Sequence, residues 1–362
     1  MWPYLLLYTL ALFCAFSDLL PIKNRWIACG TLLVVMAVMA IFRDNIGGYD
    51  FFMYSLYYKA AVPINDYLAG RFVPEYHSKD FECGFAFLCC LIKTFDWTKG
   101  PYLLFMVITS FNFVIFYKAL KKYTPFVFIA ILFYLYKGYI WHNFTLLRQS
   151  VSIALFMYSI QYIKDKKMLK YMGLNLIGFC FHESAIILFP LYFLLDKKYT
   201  TPTLIIFMLV ALGCNIGNVL PVVCMKLAGL LGMAGRLGVY MGGHSSINPM
   251  NFLEILLILS ISLYQRGKYD KEEPFFNIFL NMFVFSSLII LSCSAIDIFA
   301  RFKEYFVVAY MVLISYMVGH LESKRSQFVA FGCLALYVLA GYVRYLLTFD
   351  QGGLLPYKWI LF

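Results

Sequence analysis

Residues 171–195 read YMGLNLIGFCFHESAIILFPLYFLL, an apolar run broken near its middle by His182, Glu183 and Ser184. The run is longer than the roughly 20 apolar residues that a helix needs to cross a bilayer. Polar and ionisable groups inside a span are costly and mark a functional suspect. Two readings are open: one tilted span, or two half-helices that meet near His182. The choice sets the side on which everything C-terminal to it lies, and the cations decide between them. Short loops holding Lys23 and Arg25, then Lys118, Lys121 and Lys122, then Lys164, Lys166, Lys167 and Lys170 read as cytoplasmic. A single span would turn Lys197, Lys198, Arg266, Lys268, Lys271, Lys324 and Arg325 outward. A broken pair returns all of them to the cytoplasmic side and leaves Lys226, Arg236, Arg301, Lys303 and Lys358 on outer segments. The positive-inside rule favours the broken pair.

The rest of the chain supports the same class. Apolar residues make up 62% of it and charged residues 14%, far from the balance of a soluble domain. Further apolar runs lie at Trp2–Phe16, Trp26–Phe42, Pro101–Tyr117, Phe126–Ile140, Leu147–Ile163, Thr203–Val222, Phe252–Tyr264, Phe275–Ile296, Tyr305–Gly319 and Phe328–Leu347. These predict an all-α, polytopic integral membrane protein with about ten full transmembrane helices, forming one domain over residues 1–362. The first run has no basic stretch before it, so it is expected to be retained as a span. Residues 43–100 form a long outer segment, within which Cys83–Phe95 is too short to span and reads as re-entrant. Residues 223–250 form an outer loop, and the Trp141–Leu146 turn also faces outward. The net charge of +11 is dispersed in short clusters, which reads as topology signalling and not as a nucleic-acid surface. The ten cysteines show no ligand spacing and read as small apolar residues.

Residues that could carry chemistry gather on the predicted outer face. Arg148 opens the helix Leu147–Ile163, where a full positive charge adds to the helix dipole and suits phosphate, and Gln149 follows it. An arginine snorkelling to the interface is the plainer account. His182 can act as base, acid or phosphate donor if the chain breaks beside it, with Ser184 capping the second half-helix. It can equally be a histidine that ties helices together. Asp297 and Arg301 sit one turn apart if helical, and either pair with each other or, with Lys303, supply cations for a diphosphate. Arg43, Asp44 and Asp50 flank Gly47 and Gly48, whose freedom permits a tight turn close to a ligand. Glu82 opens the re-entrant segment and is the best-placed outer carboxylate for a general base. Arg236 lies in a Gly-rich loop that could close over a substrate.

No Walker loop, no dinucleotide fingerprint and no nucleophile elbow is present, and the five histidines are scattered without metal spacing. Soluble nucleotide or ATP chemistry is therefore not expected, nor is a cofactor or metal. A donor already carried in the membrane is the natural alternative.

The chain resembles the EpsG family of bacterial exopolysaccharide proteins, allied to Wzy-type O-antigen and capsule polymerases. The resemblance is carried by Phe42-Arg43-Asp44 with Ile46-Gly47-Gly48-Tyr49-Asp50, then Glu82-Cys-Gly-Phe85, and Leu147-Arg148-Gln149 with Ser152 and Ala154. Phe181-His182-Glu183-Ser184-Ala185 and Arg301-Phe-Lys-Glu-Tyr-Phe306 follow. It implies a GT-C-like helical bundle in the bacterial inner membrane with its active site facing the periplasm. The implied reaction joins undecaprenyl-diphosphate-linked oligosaccharide repeats. Arg148 and Arg301, with Arg43, would hold diphosphate, and Glu82 or His182 would serve as base. Expected partners are the lipid-linked oligosaccharide, the lipid bilayer, a flippase and a chain-length regulator. A flippase for the same lipid-linked sugars is the alternative function. It would use the same arginines but needs alternating access, usually with repeat symmetry, and no such symmetry is visible.

Overall fold

The computed structural model describes residues 1–20, 25–72, 81–96, 100–230, 247–293 and 299–360. Among these the chain is helical, with no strand beyond a single bridge between Arg43 and Trp359. Two compact units emerge, Met1–Phe189 with Val318–Phe362, and Pro190–Met317.

The helices in chain order begin with α1 (Trp2–Ser17), α2 (Arg25–Ile41), α3 (Gly48–Ala60), α4 (Ile64–Leu68), α5 (Cys83–Phe95) and α6 (Tyr102–Tyr123). Next come α7 (Val127–Tyr134), α8 (Leu147–Lys164), α9 (Met168–Phe181), α10 (Leu191–Leu194), α11 (Thr201–Ile216) and α12 (Val219–Leu230). The last are α13 (Pro249–Tyr264), α14 (Arg266–Glu272), α15 (Phe276–Ser292), α16 (Phe299–Lys303), α17 (Val307–Gly319) and α18 (Lys324–Thr348).

Each apolar run read from the sequence is helical over most of its described residues, several of them with a break, and few are long. Tyr102–Tyr123, Arg301–Gly319 and Lys324–Gly352 can each cross a membrane by length and composition. The pair Thr201–Ile216 and Val219–Lys226, bent by 70°, counts as a fourth if it is one span. The other apolar helices hold 10–17 residues, less than the ~20 of an ideal span. Part of the shortfall has a local cause. The predicted span Phe126–Ile140 leaves the α-helical form at Leu135 and continues as two π-helical turns, Leu135–Tyr139 and Trp141–Thr145. The turn expected to face water at Trp141–Leu146 is instead mostly enclosed, with His142, Asn143, Phe144 and Thr145 all buried. Asn143 is satisfied inside the protein: its Nδ2 donates to the Tyr139 carbonyl at 2.8 Å and to the Tyr134 hydroxyl at 3.0 Å.

In the first unit α8 is the central element. It buries Gln149, Ser150, Ser152, Ser159 and Gln161 along with its apolar residues, so its surroundings are protein and not lipid. Its neighbours are held by small polar side chains, a common device between membrane helices. Ser152 Oγ donates to the Gly178 carbonyl of α9 at 2.6 Å, Asn175 of α9 reaches Ser159 Oγ at 3.1 Å, and Asn112 of α6 reaches Ser150 Oγ at 2.7 Å. Asp18, just past α1, accepts from the Phe128 and Ile129 amides at 2.6 and 3.0 Å, satisfying the first turn of α7 from another helix. By contrast α1 turns Trp2, Leu6 and Phe13 outward, and α18 does so with Val329 and Leu336. Such exposed apolar side chains belong against lipid.

The deciding stretch breaks where its polar residues stand. The helix α9 ends at Phe181, His182 is extended, and a 3₁₀ segment runs over Glu183–Leu188. The Tyr171 hydroxyl donates to the Leu188 carbonyl at 2.6 Å. Tyr171 lies eleven residues before the break, about 16 Å along a helix. The second half therefore folds back along the first, as a hairpin with His182 at its apex.

In the second unit, α15 fastens the turn that precedes α11. Asn281 Nδ2 donates to the carbonyls of Leu195 and Lys197, each at 2.7 Å, and Asn277 donates to Lys197 at 3.1 Å.

Candidate functional site

The hairpin apex meets the starts of α5 and α8. At the first contact, Gly84 of α5 lies against the end of α9. A Cβ at Gly84 would stand 2.6 Å from the Cys180 carbonyl oxygen, so the two backbones can approach only because the residue is glycine. This contact carries Glu82, the residue before α5, to the hairpin apex.

Glu82 uses its two carboxylate oxygens differently. Oε2 pairs with Nη1 of Arg148, at the second position of α8. Oε1 accepts the backbone N–H of Glu183, the residue just beyond the break, at 3.1 Å. The Arg148 guanidinium also stacks over the Phe81 ring, 4.0 Å from its centroid. Arg148 and Glu82 side chains keep 16% and 14% of their surface exposed, so the pair is not sealed inside the protein.

Tyr54 of α3 completes the surroundings. It is in hydrogen-bonding contact with Arg148. Burial pushes its hydroxyl pKa up, Arg148 opposes that shift, and Asp50 one turn earlier adds to it. Tyr54 was not singled out as a ligand from sequence. The readable signal was its place one turn after Asp50, on a helix opened by Gly48. Around it Phe81, Phe85 and Tyr57 pack with ring centroids 4.7–6.0 Å apart, forming an aromatic wall beside the ion pair.

At the apex His182 is buried and its ring acts as a cap. Nδ1 accepts the Ser184 backbone N–H at 3.3 Å and lies 2.7 Å from Ser184 Oγ. A backbone N–H can only donate, so Nδ1 is the acceptor and the neutral ring carries its proton on Nε2. The capping role expected of Ser184 thus falls to His182, and Ser184 steadies the ring. In this tautomer His182 offers a proton from Nε2 rather than taking one.

Three of the four proposed catalytic residues, Glu82, Arg148 and His182, thus come to one place. Arg301 belongs to the second unit, on α16, where it is exposed. Asp297 and Arg236 lie outside the described residues.

Arg43 has another post than the one expected. It is 0% exposed, and Nε, Nη1 and Nη2 donate to the carbonyls of Ile46, Ala40 and Phe144. The rings of Phe105, Phe144 and Phe51 lie 4.7, 4.8 and 5.8 Å from its guanidinium carbon. An arginine enclosed in this way has no face to offer a diphosphate, so it holds the turn together instead. Gly47, with φ of +136°, sits against the same Phe144 carbonyl, where no side chain fits. Gln149 is likewise fully buried within α8 and presents nothing to solvent. Asp44 accepts from the Tyr102 hydroxyl at 3.1 Å and from Asn45 at 3.0 Å, while its backbone N–H bonds the Lys358 carbonyl.

No group of three or more His, Cys, Asp or Glu side chains with metal-binding geometry occurs among the described residues.

The family model for EpsG matches residues 26–359, nearly the whole chain. The chain belongs to the EpsG family. EpsG is a Wzy-like polysaccharide polymerase family, so this is a membrane-embedded protein of polysaccharide biosynthesis. No curated protein and no solved structure matches it. The matched span includes α3, α5, α8 and the hairpin, all the elements that meet at the Arg148–Glu82 pair.

Proposed function

We propose that this EpsG-family protein is a polysaccharide polymerase that lengthens glycan chains carried on undecaprenyl diphosphate, at the periplasmic face of the bacterial inner membrane. The acceptor hydroxyl oxygen attacks the anomeric carbon of the donor chain. The bond from that carbon to the diphosphate oxygen breaks, and undecaprenyl diphosphate leaves with the electron pair. The acceptor proton passes to a protein base, for which the Glu82 carboxylate is the candidate. Arg148 meets the charge that grows on the leaving diphosphate, the type of contact that strengthens towards the transition state. Cleavage of the glycosyl ester bond to the diphosphate, a good leaving group, supplies the driving force, so no nucleotide is needed.

The single observation that supports this most is the meeting of Arg148, Glu82 and the His182 apex, a cation, a carboxylate and a broken helix at one partly exposed point. Purified protein incubated with its native lipid-linked repeat should yield a ladder of lengthened products. Transport of the repeat across vesicles without any lengthening would overturn the reading in favour of a flippase. Arg301, in the second unit, is proposed as a further cation for the carrier, and Arg301→Ala should shorten the ladder.

A further inference from the structure

The Glu82 carboxylate is held by two kinds of donor, the Arg148 guanidinium and the Glu183 backbone N–H at the apex of the hairpin. Guanidinium and backbone amide are the groups that proteins use to hold phosphate oxygens. Glu82 stands at the start of α5, yet its side chain makes no capping bond to that helix. Its described bonds run to α8 and to the hairpin. The pair keeps part of its surface exposed, and Phe81 supports the guanidinium.

We propose that Glu82 occupies the seat of one substrate phosphate, and that the carrier's diphosphate displaces it from Arg148. This rests on the reading of Arg148 as a diphosphate ligand and deepens it by naming the second donor, the Glu183 N–H, and the resident anion. A diphosphate carries more charge and more acceptor oxygens than a carboxylate, so it wins the guanidinium when both are present. Displacement leaves a carboxylate without its cation, and such a group is the better proton acceptor. The arriving donor thus creates the base at the moment the acceptor hydroxyl has to lose its proton. Until then Arg148 and Glu82 neutralise each other.

The test uses full-length protein in detergent and measures binding of farnesyl diphosphate, a soluble stand-in for the carrier headgroup. Glu82→Gln retains an oxygen to accept from Glu183 and Arg148 but removes the competing charge. It should bind the probe about tenfold tighter than wild type, and Glu82→Ala should shift the same way. Asp66→Asn removes the same charge from a partly exposed acid that pairs with Arg71 and takes no part in the seat, and should change binding by less than about twofold. Arg148→Gln should abolish binding. In the polymerisation assay Glu82→Gln should be slower than wild type despite binding tighter.

If Glu82→Gln binds no tighter than Asp66→Asn while Arg148→Gln still abolishes binding, the shared seat is wrong and the diphosphate reading stands. If Arg148→Gln binds like wild type, the reading of Arg148 fails and the seat with it. Absence of binding in every variant overturns both.

Discussion

Two arginines in this chain look alike in sequence and do opposite things in the structure. Arg43 follows α2 and Arg148 opens α8, each at the edge of an apolar helix. Arg43 is sealed: three backbone carbonyls take its nitrogens and three phenyl rings close around it. Arg148 has a carboxylate partner, one aromatic support and an open side. Removing an arginine that satisfies buried carbonyls harms the fold. Removing one whose partner is exchangeable harms chemistry. What separates them is the neighbour that each helix end meets.

That contrast can be broken most directly at Arg43. Arg43→Ala strands three carbonyls and leaves a void, which should cost about 3 kcal/mol or more. Thermal unfolding in detergent should show a large fall, with little folded protein recovered from membranes. A stable Arg43→Ala protein that makes no polymer would instead place Arg43 in the reaction. At Arg148 the expectation reverses. Arg148→Ala should slow polymerisation by about 100-fold or more, the scale of losing one charge-stabilising donor. Its unfolding temperature should stay near that of wild type, and normal long polymer at normal protein level would remove Arg148 from the site.

A smaller effect sharpens the contrast by moving one region and sparing the other. Gly84→Ala puts a methyl against the Cys180 carbonyl and should cost about 2 kcal/mol as α5 is pushed from α9. Because Glu82 rides on α5, polymerisation should fall as well, while the Arg43 turn is untouched. The smallest change is Ser152→Ala, which removes the bond to the Gly178 carbonyl between α8 and α9 and should cost about 1 kcal/mol. Activity lost well beyond that cost would mean that α8–α9 packing tunes the hairpin apex itself.

The break at His182 was legible because a polar trio in an apolar run has few solutions, and cation placement chose between them. The limits of the helix Cys83–Phe95 were legible for a similar reason, a short apolar run between polar ends. The role of Arg43 was not. Its partner Phe144 lies 101 residues away, in a stretch read as a water-facing turn that folds as a buried π-helical segment. Tyr54 was given no role, because its place one turn after Asp50 does not reveal the arginine that it faces. His182 was read as base, acid or tie, and the bond from the Ser184 amide narrowed it, since tautomers follow from partners.

By itself, then, the sequence determined a helical membrane protein, the position of each apolar helix and the break in residues 171–195. Those properties depend on hydrophobicity and local polarity, which each segment carries with it. Tertiary structure alone decided which arginine is walled in and which is left facing a carboxylate. A guanidinium takes its character from the groups around it, and here those come from helices far apart in the chain.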